Sequence, residues 1–254
     1  LYLRLFDRLG TSLSMASGTG LLDTESRGWD RPLLELTGIG EESLPPFRVL
    51  ETGLVKARAR RWPALAAVPW LDAAGDGALA NLGSGCADPS QRALTVGTSG
   101  ALRVLGGRLG PPPPGLWRYL LDSEREVVGG ALSNGGNLFA WLSRTLRVEE
   151  PALERALARL RPAAHGLTFL PLLAGERAPG YAGRASGAIA GLTQATAPVE
   201  IVRGGLEAVA IEFARVDRRL DEGGLGVPRR VVASGAGLLR SPAWMQIMAD
   251  ALGR

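Results

Sequence analysis

One stretch constrains the fold of this chain more than any other. From Pro198 to the pair Gly223-Gly224, the apolar residues Val202, Leu206, Val209, Phe213, Val216 and Leu220 recur at spacings of four and three. That is one face of a long amphipathic helix, with proline at its first turn and glycine just past its end. A helix with so continuous an apolar stripe needs a broad surface to cover it.

Strand-like patterns supply that surface. Ala64 to Ala74 reads as a buried strand that ends at Gly75-Asp76-Gly77 and passes into a small-residue helix from Ala78 to Leu82. Arg92 to Leu105 reads as two strands around the tight turn Gly97-Thr98-Ser99-Gly100, and Pro111 to Pro114 as an extended surface loop. A Val-Val-Gly-Gly run from Val127 leads through a Gly/Asn-rich turn to a helix with Leu138, Trp141 and Leu142. Pro151 starts another helix with Leu153, Leu157 and Leu160 on one face, and Leu167 to Leu173 reads as a buried strand. Arg230 to Ser234 is a strand, and Ser241-Pro242 caps a last helix. Strands alternating with helices predict an α/β architecture with largely covered sheets. The glycine- and proline-punctuated change near residues 83–92 is the expected domain boundary, dividing the chain into 1–88 and 89–254.

Composition narrows the class. The 254 residues can bury a substantial core, with 46% hydrophobic and 21% charged residues. The formal charge is +4 and the pI about 9.9, yet the basic residues are almost all arginine, with Lys56 the single lysine, and are mixed with acids as in Asp217-Arg218-Arg219. The densest cluster, Arg58, Arg60 and Arg61, adjoins only Trp62. A nucleic-acid footprint wants a basic stripe with aromatic platforms, so an arginine-rich solvated surface is the expectation and no nucleic-acid partner. No apolar run suits a membrane span, and the first residues do not resemble a signal peptide. One cysteine, Cys86, excludes an internal disulfide framework and fits a reducing, cytoplasmic compartment.

Three segments could carry chemistry. Asp76 follows a predicted strand and is flanked by glycines, where a ligand can approach the backbone. It could accept the proton of an attacking hydroxyl, or it could cap the helix that follows. The turn at Thr98 and Ser99 has two glycines and two hydroxyls, which suits phosphate oxygens and equally suits a plain hairpin. Val232 to Gly237 places a glycine turn before a helix start, without the spacing of a dinucleotide fingerprint. His165, the single histidine, has no cluster with which to bind a metal, and Cys86 reads as a small buried residue. No G-x-S-x-G nucleophile elbow is present.

The order of these segments is more specific than any one of them. From residue 1 to residue 254 it resembles the FGGY family of carbohydrate kinases. Gly187 to Leu192, then Glu200-Ile201 and Leu206-Glu207, is similar to the family's C-terminal signature, with Gly204 where the family usually has Ala or Ser. Arg4-Leu5-Phe6, Ala16 to Leu22, Thr98 to Arg103, Ser133 to Gly136 and Leu173 to Pro179 look most like the gluconokinase branch.

The resemblance implies an actin-like (ribonuclease H-like) two-domain ATPase fold, with the N-terminal domain incomplete and the site in the interdomain cleft. Asp76 matches the base that deprotonates the sugar hydroxyl. Thr98, with Ser99, matches the phosphate-contacting hairpin; Gly136 and Ala140 fall at the nucleotide, and Gly235, Ala236 and Arg240 match the adenosine-binding turn. ATP and Mg²⁺ are implied, with a small sugar or sugar acid as substrate and with room for a homodimer. The family's first phosphate hairpin, an Asp-Gly-Thr-Thr-like element, is not in the sequence, and both ends read as cuts through a larger protein. The expectation is an active kinase as the whole gene product and an inactive chain in isolation. Gluconate is the expected substrate. Rival readings are a xylulokinase or another pentulose or polyol kinase, and a nucleotide-binding regulator that does not transfer phosphate.

Overall fold

The computed structural model describes residues 2–48 and 53–254. The chain divides into two compact units. The first comprises Leu1–Leu79 and Arg118–Val127, and the second Ala80–Trp117 and Val128–Arg254.

The first unit is built of short pieces: α1 (Tyr2–Phe6), α2 (Leu13–Ser17), β1 (Leu22–Asp23), β2 (Gly28–Trp29), α3 (Arg31–Thr37), α4 (Lys56–Arg61) and the start of α5 (Asp76–Gly83). Its apolar centre is small, with Ala16, Leu22 and Leu120 packed by Leu13, Trp29 and Phe47. Polar ties do much of the fastening. Leu120 N–H donates to the Ser17 hydroxyl at 3.1 Å, and Arg118 reaches Thr24 and Glu25.

The run from Ala64 to Ala74 is not the expected buried strand. It is a 3₁₀ turn at Pro63–Leu65 followed by irregular chain, most of it exposed, with Leu71 86% accessible. Apolar content suggested burial, but Pro63 and Pro69 each lack an N–H for a ladder. No strand among the described residues pairs with the run. Trp70 alone finds an aromatic partner, packing edge-on against Phe6 with ring centres 5.3 Å apart.

The second unit carries the main sheet. Its elements are β3 (Gln91–Val96), β4 (Gly100–Gly106), most of β6 (Glu126–Leu132), α6 (Gly136–Leu146), α7 (Glu150–Arg159), β7 (Thr168–Leu170), β8 (Ala188–Ala190), α8 (Pro198–Glu222), β9 (Arg230–Ser234), α9 (Ala236–Leu239) and α10 (Pro242–Leu252), while β5 (Trp117–Leu120) belongs to it only through Trp117. The strand order is β5-β6-β4-β3-β9. β3 runs antiparallel to β4 and parallel to β9, with Leu94 opposite both Leu102 and Ala233.

The long helix behaves as its periodicity predicts. Val202, Leu206, Val209, Phe213, Val216 and Leu220 are all buried, and they join Leu94, Leu102, Val128, Leu138, Leu157 and Trp244 in one core. Each such side chain contributes about 1.5–3 kcal/mol by leaving water. At the helix start, Glu200 accepts from the Ala197 N–H at 2.8 Å, satisfying a donor outside the first turn.

Three expectations need correction. Leu167 to Leu173 is not a buried strand. Only Thr168–Leu170 is extended; it pairs with β8 alone, and Leu170 and Leu173 are exposed. The ribbon packs one face, through Phe169, against α8 and the main core, and leaves Thr168 and Leu170 on the other face exposed. The proline loop is indeed irregular, but Pro113 is buried, and a Cβ on Gly223 would meet it at 2.2 Å.

The charges are also less superficial than composition implied. Arg92 is fully buried, donating to the carboxylate of Asp217, to Asp221 at 2.7 Å and to the Gly226 carbonyl at 2.6 Å. Arg254 pairs with the same two aspartates at 3.1 and 3.0 Å. Charges leave water only when several partners replace it.

Candidate functional site

In the second unit, three backbone segments meet at the β3–β4 turn. The Gly97 carbonyl accepts from the Gly136 N–H at 2.8 Å, and the Thr98 carbonyl from the Asn137 N–H at 3.0 Å. The turn is itself closed by the Gly97 N–H donating to the Ser99 carbonyl at 2.9 Å. A Cβ on Gly136 would stand 2.5 Å from the Gly97 oxygen, so only glycine allows this approach. On the other side, Gly235 has φ +90, and a Cβ there would lie 2.3 Å from the Val96 oxygen. Both glycine turns are thus pressed against one strand end.

Side chains stiffen the arrangement. Asn137 Oδ1 accepts from the Gly135 N–H at 2.7 Å, and its Nδ2 donates to the Ser133 carbonyl. Buried Asn134 donates to the Gly175 carbonyl at 2.9 Å and accepts from the Ala174 N–H at 3.0 Å, tying this turn to the Gly175-Glu176-Arg177 loop. The Thr98 and Ser99 side chains stay exposed, and neither hydroxyl is bonded to another described residue.

A cavity of about 850 Å³ opens beside this junction. Of the residues singled out from sequence, Thr98, Gly136, Ala140, Ala236 and Arg240 line it. Ser99 and Gly235 do not; they form the turn and the backbone contact behind it. Asp76 belongs to the first unit.

Sequence reasoning missed several lining residues, among them Asn134, Trp141, Arg144, Glu154 and Ser241. Trp141 was read only as a helix residue beside Leu138 and Leu142. Arg144 lies two turns along α6 from Gly136, a spacing that could have found it. Glu154 carried no local signal. It accepts from the Ser241 hydroxyl at 2.7 Å and the Ala243 N–H at 2.6 Å, holding the start of α10 against α7.

Asp76 has a different setting from the cap that its local sequence allowed. It is the first residue of α5, and the Gly75 carbonyl accepts from both Ala78 and Leu79. Asp76 Oδ1 accepts from the adjacent Gly77 N–H at 2.7 Å, while Oδ2 has no bond to another described residue and the side chain is exposed. The preceding loop is fixed from α2. The Gly75 N–H donates to the Ser14 hydroxyl at 3.0 Å, and the Ser12 hydroxyl donates to the Ala73 carbonyl.

His165, to which sequence assigned no role, has a structural one. Its Nδ1 accepts from the Leu167 N–H at 2.9 Å, so the proton sits on Nε2, which donates to Glu207 at 3.0 Å. Glu207 also accepts from Arg203, whose other nitrogen reaches the Leu157 carbonyl. Cys86 is a free, buried thiol. Among the described residues no three His, Cys, Asp or Glu side chains gather as metal ligands, and no helix is long and apolar enough to cross a membrane.

Known proteins match both units. The N-terminal domain of the FGGY family of carbohydrate kinases matches residues 1–83, and the C-terminal domain of that family residues 93–254. A gluconokinase from Bacillus licheniformis is 31% identical over 98% of this chain and 52% of its own length. The solved xylulose kinase of Lactobacillus acidophilus superposes with a TM-score of 0.88 at 30% identity, covering 99% of this chain and 52% of that one. The gluconate kinase of the same organism gives 0.86 and 29%, with the same coverage. The chain spans about half the length of the curated relatives it matches. The α/β, actin-like ATPase architecture expected from the sequence is therefore met, and the chain belongs to the FGGY family of carbohydrate kinases.

Proposed function

We propose that this chain forms part of an ATP-dependent kinase for a small polyhydroxylated substrate, with gluconate, converted to 6-phosphogluconate, as the preferred acceptor. The observation that carries the reading is the cavity at the β3–β4 turn. Glycine turns from two other segments close on that turn, leaving the Thr98 and Ser99 hydroxyls exposed and Thr98 on the cavity wall.

The volume of about 850 Å³ suits a nucleotide. Bound ATP would supply the transferable phosphoryl group. In this reading the Thr98 hydroxyl and the turn N–H groups receive phosphate oxygens, with Ser99 shaping the turn; Gly136 and Ala140 leave room along α6, and Ala236 and Arg240 border the nucleoside, with Gly235 holding their turn against β3. Asp76 takes the proton of the attacking hydroxyl through its free Oδ2, a role its exposed position at the start of α5 supports. Positioning and charge stabilisation then account for most of the rate. Mg²⁺ is held largely by phosphate oxygens and water in such sites. Among the described residues no three His, Cys, Asp or Glu side chains gather as ligands for it, so a bound Mg²⁺ would draw its ligands mainly from those phosphate oxygens and water. We assign the first unit to the sugar and the second to the nucleotide, and place the protein in the cytoplasm.

Gluconate is favoured by the gluconokinase relatives, at 31% and 30% identity. The xylulose kinase structure, with the higher TM-score of 0.88, favours a pentulose as the second reading. ADP release by the full-length protein, measured on gluconate, xylulose, ribulose and glycerol, decides between them. Turnover of gluconate above the others is expected. Turnover of xylulose with gluconate ignored overturns the substrate assignment, and release with none of the four leaves the non-transferring nucleotide binder as the better description.

A further inference from the structure

We propose that the Glu154 carboxylate reads the amino edge of an adenine base and so sets the nucleotide preference of this cavity. The proposal rests on the nucleotide reading of the cavity given above.

The cavity runs along α6. Its Gly136 end is bonded to the β3–β4 turn, where the exposed hydroxyls stand. Eight residues later Arg144 still lines it, about 12 Å away at roughly 1.5 Å per helical residue. That is the reach from a terminal phosphate to a base. α7 starts four residues after α6 ends, so Leu153 and Glu154, in its first turns, stand beside the far end of α6. Both line the cavity, as do Trp141, Arg240 and Ser241.

Apolar Leu153 and aromatic Trp141 offer surfaces for a flat ring, and Glu154 offers the acceptors at its edge. A carboxylate accepts in about four directions. Two are taken, by the Ser241 hydroxyl and the Ala243 N–H, one on each oxygen. Those bonds fix the group in place and leave each oxygen one direction open. A fixed acceptor favours a base with an amino group at its edge. It disfavours one with an oxo group there, because two acceptors face each other without a proton between them. Arg144 and Arg240, exposed on the same wall, are the residues that could reverse that preference.

The test is calorimetric binding of ADP and of inosine diphosphate, which replaces the amino group by oxygen, to the full-length wild-type protein and to Glu154→Gln. Glutamine keeps an oxygen for the Ala243 N–H but removes the charge. The expected result is ADP at least tenfold tighter than inosine diphosphate in the wild type, with the gap closing below threefold in the variant. An unchanged gap, equal losses for both nucleotides, or inosine diphosphate bound as tightly as ADP by the wild type each overturns the proposal. Equal losses would mark Glu154 as a structural tie only. Should Glu154→Gln not fold, Glu154→Asp keeps the charge and shortens the reach, and it should weaken ADP while sparing inosine diphosphate. A wild type that binds neither nucleotide refutes the nucleotide reading itself, a failure distinct from the others.

Discussion

The N–H of Gly136 donates to the carbonyl of Gly97 at 2.8 Å, and the room for that bond exists because Gly136 has no side chain. A methyl group there would sit 2.5 Å from the Gly97 oxygen. That oxygen is backbone in a turn already closed by its own hydrogen bond, so it cannot swing aside. Gly136→Ala should push α6 and the turn apart. Since misplacing a catalytic element by about 1 Å can cost on the order of 100-fold, a fall in kcat/KM of roughly that size is expected, together with weakened ADP binding in calorimetry. Retention of both would show that the turn does not hold phosphate.

A second prediction concerns the approach to Asp76. The Ser14 hydroxyl accepts from the Gly75 N–H at 3.0 Å, so the residue before Asp76 is fixed by a side chain some sixty positions earlier in the chain. Asp76→Asn removes the proposed base without altering this anchor. It should lower kcat by on the order of 10²–10⁴ while nucleotide affinity stays unchanged. Ser14→Ala leaves the carboxylate intact but frees the loop. About 1 kcal/mol of stability should be lost, with a smaller drop in kcat. Full turnover in Asp76→Asn would leave Asp76 as only the first residue of a helix.

The buried charges make a third. Arg92 is inaccessible to solvent and shares Asp217 and Asp221 with Arg254. Removing one partner leaves the other charges buried without full compensation, which typically costs about 3–5 kcal/mol. Asp217→Ala should therefore lower the denaturation midpoint sharply. The pair Arg92→Met with Asp217→Leu should recover much of the loss, because apolar replacement of a whole pair can be neutral. Urea titration of the two single variants and the double variant measures the coupling.

A fourth lies in acid. Burial works to raise the Asp122 carboxyl, but hydrogen bonds from the Arg125 side chain and from the Glu124 and Arg125 backbone outweigh it and hold the pKa below the usual aspartate value. A depressed folded pKa stabilises above the unfolded value, near pH 4. The contribution is lost as the pH falls through the lower folded value. Carboxyl NMR should show Asp122 titrating below an unstructured aspartate, and Asp122→Asn should flatten this part of the acid limb.

What could be read from the sequence followed from periodicity and from local backbone chemistry. The six apolar positions of α8 were legible because spacings of four and three put them on one face of a helix, whereas a strand would scatter them over both of its faces. Ser241-Pro242 was legible because a cap and a first-turn proline are local signals. The Ala64 to Ala74 run was misread because apolar content says nothing about whether a partner strand exists to pair with it. Glu154 was invisible for a related reason. Its role depends on α10, nearly ninety residues later, and a lone glutamate in a helix has no pattern of its own.

Two adjacent glycines in α8 make the last prediction, and their environments differ. A Cβ on Gly204 would meet the His165 ring at 3.5 Å, an ordinary van der Waals contact. Gly205 has no such room, since its Cβ would lie 2.6 Å from Leu142 Cδ1 and 3.4 Å from Phe169. Replacing glycine by alanine inside a helix is worth roughly 0.5–1 kcal/mol when nothing clashes. Gly204→Ala should therefore raise stability by about that amount and keep the His165 to Glu207 bond. Gly205→Ala should lose about 1–3 kcal/mol, because a well-packed core must shift to accept the extra methyl. Thermal melts of the two variants should move in opposite directions from wild type. If both fell, the contact of His165 with the α8 backbone would be closer than the space at Gly204 allows.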